Sequence, residues 1–406
     1  MGKYIKHFET VAEYNEAREN EYIEPWVSYT EELGGINYNK TEYEKLLEMP
    51  LTFEITSDGV IKWKTSNSGL TKTIEYSKDS GTTWTSITST TGGTDISVVS
   101  GDTVQFRGDN AVYTTSEDYY NTFSGTTASF NVKGNIMSLI DSDGFVNANS
   151  LTSSYTFSCL FINCTGLTDA SKLILPATTL TSSCYSNMFS GCISLTTAPK
   201  LPATTLVSNC YQSMFAGCTA LTTAPALPAT TLATTCYSYM FTNCSSLTTA
   251  PELPATTLAS NCYQYMFYNC TSLTTAPELP ATTLAIYCYQ NMFQSCTALT
   301  TAPALPATTL ASSCYYGMFR GCTALITAPE LPTTTLKNNC YNSMFSGCTS
   351  LNYIKCLATD ISASNCTNNW VNGVASSGTF VKNASMTSWT SGNNGIPTNW
   401  SVQDAS

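Results

Sequence analysis

The chain has 406 residues, of which 42% are hydrophobic and 11% are charged, and its net charge is −11. The hydrophobic fraction is enough for buried cores, whereas the negative charge opposes binding to nucleic-acid phosphates. His7 is the one histidine, so most mechanisms that need an imidazole base or zinc ligand lack that residue. We therefore expect no enzyme, no metal or other cofactor and no nucleic-acid partner.

Residues 1–50 form the first predicted unit, and they carry 11 acidic and 5 basic side chains. A capping box that begins at Thr10 predicts a short helix to about Glu19, and residues 26–30 and 36–39 are predicted to be extended. Within residues 1–30 no apolar run of seven or more follows a basic start. No apolar run of about 18 residues occurs anywhere in the chain. We therefore expect neither a secretory signal nor insertion into a membrane.

Residues 51–140 change to a period of two, in which apolar and polar residues alternate between short turns rich in Gly, Ser and Asp. This alternation predicts a small antiparallel, Ig-like β-sandwich. Residues 77–84, Ser-Lys-Asp-Ser-Gly-Thr-Thr-Trp, resemble a single Asp-box hairpin. A propeller needs several such blades, so we interpret this copy as a self-bonded Asp turn capped by Trp84.

From residue 175 the sequence repeats with a period of twenty-six for seven copies, and each copy contains two cysteines eight positions apart. The unit is L-P-A-T-T-L-x-x-x-C-Y-x-x-M-F-x-x-C-x-x-L-T-T-A-P-x. One copy alone cannot cover its Met, Phe and Leu side chains, but stacked copies can. In the copy that begins at Leu201, the apolar spacing from Cys210 to Cys218 predicts a helix of two to three turns, and residues 221–224 are predicted to be a strand.

The predicted fold is thus a mixed α/β repeat solenoid of seven coils. Residues 141–174 resemble a degenerate first coil, residues 175–357 are the repeats, and residues 358–406 form a C-terminal cap. The cap residues are Trp370, Phe380, Trp389 and Trp400.

The regular cysteine columns favour free, buried thiols that act as small packing groups. Eight residues along a helix separate two cysteines of one repeat by about 12 Å, which is too far for a disulfide. Disulfides between neighbouring repeats remain an open alternative. No CxxC pair or nearby histidine indicates zinc.

The core Met-Phe-x-x-Cys-x-x-Leu-Thr, repeated over residues 175–357, resembles the BspA-like, or treponemal-type, leucine-rich repeats. Members of this family are typically adhesive or recognition modules, and the resemblance carries over packing positions and no active site. Residues 4–10, YIKHFET, and 24–30, EPWVSYT, look like the N-terminal segment of virion-associated proteins from crAss-like phages of gut Bacteroidales. That second resemblance implies that residues 1–50 attach to other virion proteins.

Positions that vary between copies are those that packing does not dictate, so they are candidates for recognition. Equivalent columns place Tyr239, Tyr265 and Tyr268 next to one another. The complete predicted ligand-binding set is Tyr239, Tyr265, Tyr268, Tyr287, Tyr316 and Arg320. Such aromatic side chains among Thr, Ser and Asn suit a sugar ring or a protein hot spot. The alternative is that the tyrosines simply lie flat on the repeat surface.

A further column contains Glu252 and Glu278, which would lie about 5 Å apart on neighbouring strands. That spacing is close to the carboxylate separation of retaining glycosidases, but an exposed column offers neither a cleft nor a raised pKa. We therefore do not expect catalysis there.

The sequence favours a non-enzymatic phage surface or fibre protein that recognises a host-cell glycan or protein through its solenoid. We expect a homo-oligomer at the virion surface. Two alternatives are a bacterial cell-surface adhesin of the BspA-like family and a purely structural capsid or tail decoration.

Overall fold

The computed structural model of the protein describes residues 30–32, 35–37 and 41–405. The predicted helix over residues 10–19, His7 and most of the segment with the phage resemblance lie outside these residues. The described elements, in chain order, are β1 Thr30–Glu32, β2 Gly35–Asn37, helix α1 Glu42–Leu47, β3 Leu51–Ile55, β4 Gly59–Thr65, β5 Thr73–Ser77, β6 Thr85–Thr88, β7 Thr94–Val98, β8 Thr103–Arg107, β9 Thr114–Ser116, β10 Tyr119–Thr122, β11 Phe130–Asn135, two 3-10 helices at Ile136–Leu139 and Phe145–Asn147, β12 Leu167–Ile174, β13 Tyr353–Cys356, β14 Thr379–Lys382 and β15 Ser401–Asp404.

Helix α1 is a feature that we did not predict. Its first turn contains a complete capping box, in which the Thr41 hydroxyl accepts from the Glu44 amide at 3.1 Å and the Glu44 carboxylate accepts from the Thr41 amide at 2.9 Å. Before it, β1 and β2 form a short antiparallel pair. Strand β2 overlaps the piece over residues 36–39 that we predicted to be extended.

Two sheets form the segment that follows α1. One has the strand order β7-β4-β10-β9, and the other has the order β12-β11-β3-β8-β5-β6. The alternating apolar residues point inward, so that the Phe53 ring in one sheet lies 4.9 Å from the Phe123 ring beside the other. The pairs are antiparallel except for β11 with β12, which run parallel. This last pair joins the sandwich directly to the first repeat-like segment.

The Asp turn between β5 and β6 has the predicted self-bonded geometry. The Asp79 carboxylate accepts from the Thr83 amide at 2.8 Å, from the Thr83 hydroxyl at 2.6 Å and from the Ser77 hydroxyl at 2.7 Å. These hydrogen bonds, led by the one from the Thr83 hydroxyl, lower the pKa of Asp79 to about 2. The Arg107 guanidinium lies over the Trp84 ring at 4.2 Å, which holds the end of the turn against β8.

The helix predicted in each repeat does not form, and the mixed α/β class is wrong. The described part of the chain consists mostly of strands, bridges and turns, and its one α-helix has six residues. In the repeat from residue 201, the backbone instead makes successive turns in which Asn209, Ser213 and Gly217 have φ angles of 59°, 54° and 75°. A left-handed residue at every fourth position interrupts any α-helix.

The turns alternate two kinds of backbone hydrogen bond. Amides at even positions of this copy bond locally, as from Met214 to the Tyr211 carbonyl at 3.2 Å. Amides at odd positions bond to the next repeat, as from Phe215 to the Met240 carbonyl at 3.0 Å. We call residues 209–218 and their equivalents in the other copies the turn segment. A turn segment therefore satisfies half of its amides only by stacking on its neighbour, which a helix would not need.

Equivalent aromatic side chains stack in two buried columns through the repeats. The Phe215 and Phe241 rings are 5.7 Å apart and tilted by only 3°, and the Tyr211 and Tyr237 rings are 6.0 Å apart. On the other side of each repeat, parallel bridges join equivalent threonines, such as Thr223 with Thr249. The strand that we predicted over residues 221–224 is reduced to this one bridge residue, because the prolines that follow lack amide donors.

Both ends of the aromatic columns are covered. Phe161, in the degenerate first copy, lies 5.7 Å from Phe123 of the sandwich, so the sandwich and the repeats share one hydrophobic core. At the other end Trp370 stacks on Tyr341 at 6.2 Å and on Trp389 at 5.6 Å. Phe380 and Trp400 are buried beside them, and β13, β14 and β15 form a parallel sheet.

All eighteen cysteines are free and buried. The helix on which we based their separation within a repeat is absent, so that distance argument was wrong although the thiols are unpaired. The second cysteine of each repeat has a role that we did not predict, because its thiol donates to a phenylalanine carbonyl of the preceding copy. The Cys244 thiol lies 3.1 Å from the Phe215 carbonyl oxygen, for example. These thiols therefore link adjacent repeats.

We expect the native thiols to resist Ellman's reagent at mildly alkaline pH. Burial raises the pKa of Cys236 and of Cys314 to about 12, so that almost no thiolate is present to react. A spectrophotometric titration of the intact chain should show almost no reaction, and the same chain in concentrated guanidinium chloride should release all eighteen equivalents. Rapid reaction of several native thiols would contradict this burial.

Candidate binding surface

The left-handed backbone positions create the surface on which the predicted site lies. The middle one of the three positions per repeat has φ angles between 51° and 58° in every copy. It is occupied in chain order by Asn187, Ser213, Tyr239, Tyr265, Asn291, Gly317 and Ser343. Asn and Gly adopt this conformation readily, but for most side chains it costs about 1–2 kcal/mol. Tyr239 and Tyr265 are therefore held in a strained backbone, a feature that clusters at functional sites.

The structure brings together the three tyrosines that we predicted to be neighbours. The Tyr239 and Tyr265 rings stack with their centroids 4.7 Å apart and their planes 7° apart. Tyr268 meets Tyr265 edge-on at 5.7 Å and 68°. All three side chains are half-buried, and burial, together with the neighbouring Tyr265, raises the pKa of Tyr239. We call these three residues the tyrosine cluster.

One face of the cluster has no aromatic neighbour. Tyr265 covers one face of Tyr239, while the preceding copy has Ser213 at the equivalent position. The small serine cannot continue the stack. Within the part of the chain that the structure describes, no ring contact covers that second face of Tyr239.

The other predicted site residues are not in ring contact with the cluster. Tyr287 is 39% exposed beside Ile286, which is 47% exposed, at the first left-handed position of its turn segment. Tyr316 is half-buried and Arg320 is exposed. Among the described residues no ring contact joins Tyr287 or Tyr316 to the tyrosine cluster, so the predicted set divides into a central group and outlying members.

Asn291 is a polar residue at this surface that we did not single out as a site residue. It is only 3% exposed, and its Oδ1 atom has no hydrogen-bond partner among the described residues. A Cβ atom placed on Gly317, its equivalent in the next copy, would lie 2.0 Å from that Oδ1 atom. Gly317 was the sequence signal for this feature. A glycine in the column that contains the tyrosines marks a position where a larger side chain would collide with the neighbouring repeat.

The acidic column has no catalytic geometry. Glu252 and Glu278 are both exposed, and Glu330 in the same column forms an ion pair of 3.0 Å with Lys355. No group of three or more His, Cys, Asp or Glu side chains in the described ranges could hold a metal ion. No helix within those ranges is long and apolar enough to cross a membrane.

Comparisons with known proteins address the repeats. No curated protein matches the chain. Among solved structures, a leucine-rich repeat protein from Bacteroides ovatus ATCC 8483 is similar, with 13% sequence identity and a TM-score of 0.18 over 69% of this chain and 96% of that chain. The model of the BspA type leucine rich repeat region matches in six copies, over residues 138–274 and 260–370, which together make up more than half of the sequence. The chain therefore belongs to the BspA-type leucine-rich repeat family.

Proposed function

We propose that this chain is a non-enzymatic recognition protein of the bacterial cell surface, whose repeats form a solenoid that binds a host glycan or protein through the tyrosine cluster. Membership of the family supports this proposal, because BspA-type leucine-rich repeat proteins are typically cell-surface proteins and generally not enzymes. It replaces the phage virion role as the leading interpretation. The phage resemblance rests on residues 4–10 and 24–30, nearly all of which lie outside the described residues.

The observation that carries the proposal is the strained backbone of the stacked tyrosines. The same position accepts Ser, Asn or Gly in the other copies, so neither packing nor turn geometry requires an aromatic ring there. The two rings also leave a flat face beside Ser213. The same turn segments contain polar side chains, including Asn243 and Asn269, whose amide groups bond to each other at 2.9 Å. A flat aromatic face within a polar surface is suited to recognition.

The double variant Tyr239→Ser with Tyr265→Asn tests this function without damaging the fold. Because Ser and Asn occur at equivalent positions, we expect an unchanged or higher melting temperature, since Asn relieves backbone strain. Binding of the full chain to cultured epithelial cells and to a printed oligosaccharide array should fall at least about tenfold, as for the loss of an aromatic hot spot.

The control is Ser343→Asn, which introduces asparagine at a left-handed position of the same column but three repeats from Tyr265. This variant should bind as the unmodified chain does. If the double variant also binds like the unmodified chain, the tyrosine cluster is not the recognition site and the proposal is wrong.

The virion role, the attachment of residues 1–50 to other virion proteins and the formation of a homo-oligomer stay predictions. Mass spectrometry of purified phage particles and of the bacterial surface fraction tests the first of these. Recovery of the intact chain from virions would favour the phage role over the cell-surface role.

A further inference from the structure

Arg320 is the one charged residue in the seven turn segments, which otherwise consist of uncharged side chains. It is exposed, and no ion pair to it occurs in the described ranges. Since the whole chain has a net charge of −11, an isolated exposed arginine stands out on this surface. Arginine presents a planar fork of donors that matches the two oxygens of a carboxylate.

Arg320 lies in the same column as Tyr268, two copies further along, with Gln294 between them. Adjacent repeats are joined by backbone hydrogen bonds, as between the Asn291 amide and the Tyr316 carbonyl at 2.8 Å. Two such steps separate the backbones by about 10 Å at ordinary strand spacing. A short oligosaccharide that packs against Tyr268 is long enough to reach Arg320.

Asn291 lies in the repeat between those of Tyr268 and Arg320, and its side-chain Oδ1 atom has no hydrogen-bond partner among the described residues. The Asn291 Oδ1 atom occupies the space that a side chain at Gly317 would fill. Arg320 borders this space, since its Cβ atom lies 4.0 Å from the position that a Cβ atom on Gly317 would take. A buried acceptor without a partner costs about 1–3 kcal/mol. The Oδ1 atom is itself buried, so this amide forms the floor beneath the stretch between Tyr268 and Arg320 and is not open to a ligand.

We propose that the tyrosine cluster and Arg320 form one site for an acidic oligosaccharide. A sugar ring packs against the tyrosine cluster at Tyr268, and a carboxylate further along the oligosaccharide pairs with Arg320. This inference rests on the function proposed above and specifies the class of its ligand.

The surroundings favour a sugar over a peptide. Besides the tyrosines, the turn segments of the cluster carry amides and hydroxyls, such as the Gln264 amide that donates to Gln290 at 2.6 Å. The centre of a protein–protein interface is usually more apolar than this. An acidic peptide is therefore the competing ligand in the test.

The experiment compares trigalacturonic acid with its methyl ester, which has the same rings without the charges. We expect the full chain to bind the acid about tenfold more tightly than the ester, as for a charge-assisted bidentate contact. Arg320→Gln should reduce this ratio to about one, and Arg320→Lys should restore only part of it because lysine lacks the planar fork. Added salt should weaken binding of the acid alone.

Lys337→Gln is the matched control, because it removes the same charge from an exposed residue outside the turn segments. It should leave the ratio unchanged. Equal binding of acid and ester by the unmodified chain would overturn this inference, as would a ratio that survives in Arg320→Gln or binding of polyglutamate in preference to both sugars.

Failure of this inference can be separated from failure of the proposed function. If Tyr239→Ser with Tyr265→Asn weakens both sugars equally while Arg320→Gln changes nothing, the recognition surface stands and the acidic ligand is wrong. If the tyrosine double variant binds both sugars as the unmodified chain does, the recognition surface itself is wrong.

Discussion

Replacing Phe241 by alanine is expected to destabilise the repeats more than any change on their surface. The Phe241 ring is fully buried and stacks between Phe215 and Phe267, each 5.7 Å away. Removal of a buried phenylalanine side chain costs about 3–5 kcal/mol because a cavity is left behind. That cost is a large fraction of the roughly 5–15 kcal/mol that is typical of a folded domain. Urea unfolding followed by circular dichroism measures it.

Tyr239→Ser is the control for this experiment. It removes a ring of similar size only two residues away, but from the half-buried surface and from a left-handed backbone position. We expect this variant to keep the free energy of unfolding of the unmodified chain. A loss below about 1 kcal/mol for Phe241→Ala, well under the usual range for a buried phenylalanine, would show that the buried column does not hold the repeats together.

Replacing Trp370 by alanine is expected to open the C-terminal end of the stack. The Trp370 side chain is fully buried, stacks on both Tyr341 and Trp389, and donates its Nε1–H to the Gly395 carbonyl at 2.8 Å. We expect a local cost of about 3–5 kcal/mol. Because each repeat contacts mainly its neighbours, the damage should be greatest near the replaced residue.

Hydrogen exchange measured by mass spectrometry can locate that damage. Amides of residues 340–405 should lose protection, while those of residues 184–270 should keep it. Trp84→Ala is the control, since it makes the same substitution in the sandwich and should leave residues 340–405 protected. Uniform loss of protection along the whole chain after Trp370→Ala would contradict a locally stabilised stack.

The repeat columns could be predicted from the sequence because identical spacing leaves few ways to bury identical side chains. The regular period correctly indicated that Met214, Phe215 and their equivalents are buried, and the regular cysteines correctly indicated free thiols. The alternation of apolar residues also indicated the inward faces of the sandwich strands. In each case the hydrophobic pattern alone decides which side chains leave water.

The same hydrophobic pattern could not distinguish a helix from stacked turns. Apolar residues at Cys210, Met214 and Cys218 are spaced by fours, which a helix of about 3.6 residues per turn and a series of four-residue turns both accommodate over so short a stretch. The distinguishing information was in the other columns. Of the left-handed positions Asn209, Ser213 and Gly217, also four apart, the first and last carry residue types that tolerate this conformation.

The candidate site was predictable only in part. Column alignment was enough to place Tyr239, Tyr265 and Tyr268 together, because equivalent positions of adjacent repeats are neighbours whatever the backbone. The strain at Tyr239 and the unpartnered amide of Asn291 were not predictable, since both depend on backbone angles that the wrong secondary structure concealed. Tyr287 and Tyr316 were predicted to belong to the site because they lie only one or two repeats from the tyrosine cluster. Neither makes a ring contact with the cluster among the described residues.

Because alternate amides of each turn segment bond to the next repeat in the same way, the number of repeats in the stack can change by whole units. Every turn segment offers its successor the same set of donors and acceptors, so loss or duplication of one whole repeat would recreate each junction unchanged. Duplication of the repeat that contains Gln294 would move Arg320 one repeat further from Tyr268 while the pattern of backbone hydrogen bonds on both sides stays the same. Recombination within the gene could thus change the distance between Tyr268 and Arg320 by one repeat at a time. Shorter or longer ligands could then be accommodated without a new fold having to evolve.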